Sequence, residues 1–138
     1  MRALGAILVL CLAGCSESEK PKPGPTVEFS QHDLAGRWLQ DAQIPQCRVL
    51  SETMVDDEGC YVQQLTNVFS DGVRTATFAG TWRIQDGLLV ETITNDFKFN
   101  TMVPRVAGIS KIVRLDRLEL VVTDTNNNTT VLYKRVSQ

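Results

Sequence analysis

Gly80–Asn95, GTWRIQDGLLVETITN, decides how this chain is read. Two runs rich in β-branched and aromatic residues flank Asp86-Gly87, a dipeptide suited to a tight hairpin turn. A Gly-x-Trp motif, Gly80-Thr81-Trp82, opens the first run, and a near copy, Gly36-Arg37-Trp38, stands at the start of the apparent domain. Two loop lengths fit the hairpin. A two-residue loop places Glu91 on the same face as Trp82. A three-residue loop, with Gly87 in the left-handed region, pairs Trp82 with Val90 and Ile84 with Leu88, and puts Arg83 and Glu91 together on the other face. The second is preferred here, because a lone carboxylate beside a buried Trp is costly.

Turn signals recur at short spacing on both sides of this hairpin. Upstream, Tyr61–Ser70 reads as a strand, Asp71-Gly72 as a turn and Val73–Ala79 as the next strand. Downstream, Ile109–Leu115 and Leu118–Thr123 flank Asp116-Arg117, and Thr130–Val136 closes the chain after the polar turn Thr125–Asn128. Phe97-Lys98-Phe99 alternates within the less regular Asn95–Pro104. Asp41–Gly59, with Pro45 and the acidic run Asp56-Asp57-Glu58, reads as a long irregular connection, and part of Arg48–Val55 reads as helix. Ser30 or Asp33 suits the cap of a short turn before the first strand. About eight strands joined mostly by short turns imply sequential antiparallel pairing. An open sheet leaves two unpaired edges, and closure removes them. The expected fold is therefore all-β: a small antiparallel up-and-down barrel, with an open β-sandwich as the alternative.

The N-terminus carries a different message. Met1-Arg2 supplies a positive charge, and Ala3–Ala13 is an apolar run too short to span a bilayer. Leu12-Ala13-Gly14-Cys15 resembles the lipobox of bacterial lipoprotein precursors. That resemblance implies removal of a signal peptide (residues 1–14) and acylation of Cys15 with chains such as palmitate. Each buried CH₂ of such a chain adds about 0.8 kcal/mol of membrane affinity. The next residue is Ser16, not Asp, which in Gram-negative lipoproteins implies delivery to the outer membrane, with the domain facing the periplasm. Residues 15–26 then form a lipidated, Pro-rich tether, with three prolines in Ser16–Thr26. The barrel domain is expected over residues 27–138.

The chain has four cysteines. Cys11 leaves with the signal and Cys15 takes lipid, so Cys47 and Cys60 remain in an oxidising compartment and are expected to form a disulfide.

Gly36-Arg37-Trp38, Gly80-Thr81-Trp82 and the closing Tyr133-Lys134-Arg135 are similar to the marks of bacterial lipocalin-like small barrels over most of Leu34–Val136. In the wider lipocalin group an Arg of the last strand packs over the first-strand Trp. The resemblance implies that Arg135 covers Trp38, and that Trp38 and Trp82 fill the barrel interior.

Composition narrows the chemistry. With 22% charged residues, 43% hydrophobic residues and a net charge of −2, the chain is ordinary for one globular domain. No basic stretch is long enough to follow phosphates, which argues against nucleic acid. The single His, His32, leaves no His-based metal site or His-activated nucleophile. Asp71, Asp86, Asp116 and Asp124 stand beside turns, where Asp is favoured for its backbone chemistry. Asp56-Asp57-Glu58 lacks the ligand spacing of a calcium loop. No catalytic residue, metal or cofactor is assigned. The expected role is non-catalytic: a lipid-anchored barrel binding a small apolar ligand such as a lipid. The alternative is an envelope protein-interaction module, such as an assembly chaperone, a secretin pilot or an inhibitor.

Overall fold

A computed structural model of the protein describes residues 28–96 and 105–136. Eight strands run in sequence: β1 Gly36–Gln43, β2 Arg48–Val55, β3 Cys60–Phe69, β4 Gly72–Gln85, β5 Leu88–Asp96, β6 Arg105–Leu115, β7 Glu119–Asp124 and β8 Thr130–Val136. Each pairs antiparallel with the next, and β8 returns to β1, so the sheet closes on itself. Closure excludes the open sandwich. Cys15, the signal peptide and the Phe97-Lys98-Phe99 alternation lie outside the described residues.

Alternation of side chains along the strands divides inside from outside. Trp38, fully buried, marks the inward face of β1, and its partners across the ladders are Thr53 on β2 and Arg135 on β8. The buried core gathers at one end, around Trp38, Tyr61, Trp82, Leu89, Ile112 and Leu120. That end is capped by a 3₁₀ turn, Gln31–Leu34, which contributes the fully buried Leu34. Ser30 and Asp33 cap the turn reciprocally. The Ser30 hydroxyl accepts from the His32 amide, and the Asp33 carboxylate accepts from the Ser30 amide. Gln31 then bolts the turn to β4. Its Nε2 donates to the Trp82 carbonyl at 2.8 Å, and its Oε1 accepts from the Ile84 amide at 2.9 Å.

Three expectations need correction. Arg48–Val55 is neither helix nor irregular; it is β2, paired along its length with β1 and β3. Its inward residues include Ser51 and Thr53, both buried, while the outward Met54 is 48% exposed. Polar side chains inside and an apolar one outside break the pattern by which a strand is usually recognised.

The Cys47–Cys60 disulfide is absent; both thiols are free. Cys47 stands just before β2 and Cys60 just after its far end, so the eight residues of that strand lie between them. At about 3.3 Å per residue, they are separated by more than ~20 Å. A disulfide needs Cα atoms within about 7 Å. Cys47 is buried and Cys60 exposed. A maleimide should therefore label Cys60 rapidly in the native protein and Cys47 only after denaturation. Equal native labelling of both, or protection of both that is released by reductant, contradicts this arrangement.

The β4–β5 hairpin has the shorter loop. Asp86 and Gly87 lie at φ 51° and 75°, the left-handed pair that a two-residue hairpin requires. Gln85 therefore pairs with Leu88 and Trp82 with Glu91, not with Val90. Glu91 consequently points inward. The objection to this register is a carboxylate without a partner, and the fold supplies one: the Tyr61 hydroxyl donates to Glu91 Oε1 at 2.7 Å.

Candidate functional site

The two Gly-x-Trp motifs build the closed end in different ways. Arg135 lies over Trp38, with its guanidinium carbon 4.3 Å from the ring centre. Such a stack contributes on the order of 0.5–2 kcal/mol. Arg135 also donates to the carbonyls of Ala35, at 2.8 Å, and Asp33. A Cβ at Gly36 would come within 3.3 Å of the Arg135 guanidinium, and φ there is +137°. Gly36 thus makes room for the arginine that covers the tryptophan. The Trp38 indole nitrogen donates to the Leu34 carbonyl at 2.7 Å. These groups are engaged with one another, which makes this end a plug.

Trp82 lies between two tyrosines. Its ring centre is 5.8 Å from that of Tyr61 and 5.4 Å from that of Tyr133, the latter edge-on at 69°. Trp82 is 1% exposed, and its indole nitrogen has no hydrogen-bond partner among the described residues. Glu91 sits opposite Trp82 on one side and opposite Gly108 on the other. Among the described residues, no atom beyond its chain neighbours comes within 4 Å of the place a Gly108 Cβ would occupy, so the wall has open space opposite the carboxylate. Burial pushes the Tyr61 and Tyr133 hydroxyls well above their ordinary range, and the Glu91 charge adds to the shift in both. Both rings therefore stay neutral and able to donate.

Above this floor, toward the end holding loops 44–47, 70–71 and 125–129, the inward side chains apart from the buried Ser51 are mostly half-buried. By register, Gln40, Ser51 and Gln63 share one side of it, and Leu65, Phe78 and Ile93 the other. The polar side is internally bonded: Ser51 to Gln40 at 3.2 Å, and Gln63 to Thr53 at 3.2 Å. Among the described residues, the inward face is thus aromatic and carboxylate-bearing near the plugged end and of mixed character above it.

Among the described residues, three pockets lie on the outside of the barrel. One, of about 290 Å³, runs over the outer face of β1–β3 between Leu39, Leu50 and Glu52. Another, of about 300 Å³, lies beside Met54 and Val62 on the same face. The third, of about 520 Å³, sits at the plugged end among His32, Asp57, Asp116 and Arg117. Its charges are largely spoken for: His32 meets Asp57 at 3.0 Å, and Asp116 accepts from the Leu118 and Glu119 amides at 2.8 Å each. The acidic run is likewise a turn, with Asp56 accepting from the Glu58 and Cys60 amides. Among the described residues, no group of three potential ligands is placed to hold a metal.

Cys47 and Cys60 fall at opposite ends of the barrel and make no joint site. Trp38 and Arg135 come together at the plug, and Trp82 at the floor. Glu91 stands outside the motifs that mark the sequence. The signal that finds it is the Asp86-Gly87 turn itself, whose two-residue geometry turns Glu91 inward.

No known protein family and no curated protein matches the chain. Its fold is similar to the NMR structure of a protein from Bacteroides uniformis ATCC 8492, with a TM-score of 0.51 and 14% identity over 80% of this chain and 94% of that one. At that identity the likeness speaks to the barrel alone.

Proposed function

We propose that the protein is a lipid-anchored, non-catalytic binding barrel of the bacterial outer membrane, and that it holds a small ligand with an apolar body in the open half of its lumen. The observation that carries this reading is the half-buried inner wall of Leu65, Phe78 and Ile93 above a closed floor. A barrel filled along its whole length would leave those side chains fully buried. The lipobox at Cys15 supports the anchor. The described chain enters the barrel through the 3₁₀ turn at the plugged end. A tether arriving there leaves the open mouth turned away from the lipid.

Gentle extraction from the native membrane, followed by mass spectrometry, tests both parts of this reading. The expected result is an acylated N-terminal peptide beginning at Cys15, and a near-stoichiometric small molecule released only on denaturation. An unacylated N-terminus removes the anchor, and a repeatedly empty protein removes the ligand. A second reading has its own observation. Leu39 and Met54 are 38% and 48% exposed on the outer face of β1–β3, and Val62 beside them is 51% exposed. That apolar face suits a protein partner, and cross-linking from position 54 in the same extraction reports on it.

A further inference from the structure

The floor of the lumen carries a chemical preference, and this inference rests on the lumen being the binding site. Glu91 turns its carboxylate inward, and the Tyr61 hydroxyl is its one hydrogen-bond donor among the described residues. No lysine or arginine among the described residues forms an ion pair with it. A half-buried carboxylate accepts more than one hydrogen bond and gains most from a cation in the same low-dielectric space. Three aromatic rings, those of Tyr61, Trp82 and Tyr133, gather around this charge. Aromatic faces attract cations and reject anions. Directly across the ladder from Glu91, the space at Gly108 is open on the same inward face.

The geometry points to a cationic head group: the lumen binds a protonated amine carried on an apolar body, with the ammonium at Glu91 beside Gly108 and the chain along Leu65, Phe78 and Ile93. A fatty acid is the wrong ligand for this floor, because its carboxylate would face Glu91. Three inward basic side chains could receive such an acid, and all are engaged: Arg105, opposite Ile93, already has a partner, and the other two are committed elsewhere. Arg135 covers Trp38 at the plug, and Arg74 at the rim stacks on Phe69 at 4.4 Å and pairs with Asp71 at 3.1 Å.

Dodecylamine and dodecanoic acid are the probes, each used below its aggregation concentration at pH 7. All eight strands and the core lie after residue 28, so the chain from Ser16 onward retains the complete barrel. Binding is followed by tryptophan fluorescence and by calorimetry. The expected result is dodecylamine bound at least tenfold more tightly than dodecanoic acid. Glu91→Gln keeps an acceptor for Tyr61 and removes the charge; it should weaken the amine at least tenfold without weakening the acid. Gly108→Met fills the open space and should block the amine while the carboxylate remains. The thermal midpoint of each variant shows that it is folded. Equal or tighter binding of dodecanoic acid by the unmodified chain, or an amine affinity unmoved by Glu91→Gln, overturns the cationic head group and leaves the lumen reading standing. Binding of neither probe overturns both.

Discussion

Replacing Trp38 with alanine is expected to lower the unfolding free energy by about 3–5 kcal/mol, the usual cost of deleting a large buried aromatic side chain. The position concentrates several contributions. Trp38 is fully buried, its indole nitrogen bonds the Leu34 carbonyl, and its face carries the Arg135 guanidinium. The alanine variant leaves a cavity beneath the 3₁₀ turn and strips the covering from a part-buried cation. Arg135→Ala removes the stack and two hydrogen bonds yet leaves the core volume intact, so its cost should be clearly smaller. Urea unfolding of the two variants and their double mutant measures the coupling. A double mutant whose cost equals the sum of the two single costs would mean that the arginine and the indole act independently, against the contact described here.

Gly80→Ala should be nearly as damaging, for the opposite reason. A methyl group there would sit 2.0 Å from the Thr92 carbonyl oxygen and 3.0 Å from the Tyr61 ring. The obstruction is backbone, and it falls where the β4–β5 register shifts between Ala79 and Gly80. A bulge of this kind bends the strand and helps the sheet coil into closure. Relief would require moving β5 or abandoning the bulge, so a loss of about 3 kcal/mol or more is expected. Gly108→Ala is the matched control, since its added methyl meets open space. Thermal unfolding of the pair should show a large fall in midpoint for position 80 and almost none for position 108. Equal behaviour would mean that the close approach at Gly80 is not a constraint on the fold.

Both residues belong to motifs that are visible as text. The recurring Gly-x-Trp and the closing arginine carry the architecture because they are compact: a glycine, an indole and a cation that meet only if β1 and β8 are neighbours. Most strands are legible because turn residues interrupt β-branched runs. What stays hidden does so for a physical reason. β2 puts Ser51 and Thr53 inside between Val49 and Val55, and Met54 outside, so its hydrophobic alternation is broken, and a segment with a proline and an acidic run looks irregular. The disulfide rests on counting thiols, which contains no information about the strand that holds them apart. Turning Glu91 outward follows from an energetic argument sound in itself; it fails because the partner hydroxyl comes from Tyr61, 30 positions away in sequence. Local patterns specify strands and turns, whereas satisfaction of an inward polar group depends on contacts that only the closed sheet creates.

The junction of β1 with β8 is short. Among the described residues, three pairs join these strands, Arg37 with Val136, Trp38 with Arg135 and Leu39 with Lys134, whereas eight pairs join β1 to β2. The Arg135 hydrogen bond to Ala35 spans 100 positions of sequence. Every other seam can zip as a hairpin while the chain grows, but this one waits for β8 to emerge. Bringing such distant ends together has a large entropic cost and comes late in assembly. A nascent chain stopped before β8 would hold seven strands with both flanks unzipped, and would present them to its neighbours until the missing strand arrived.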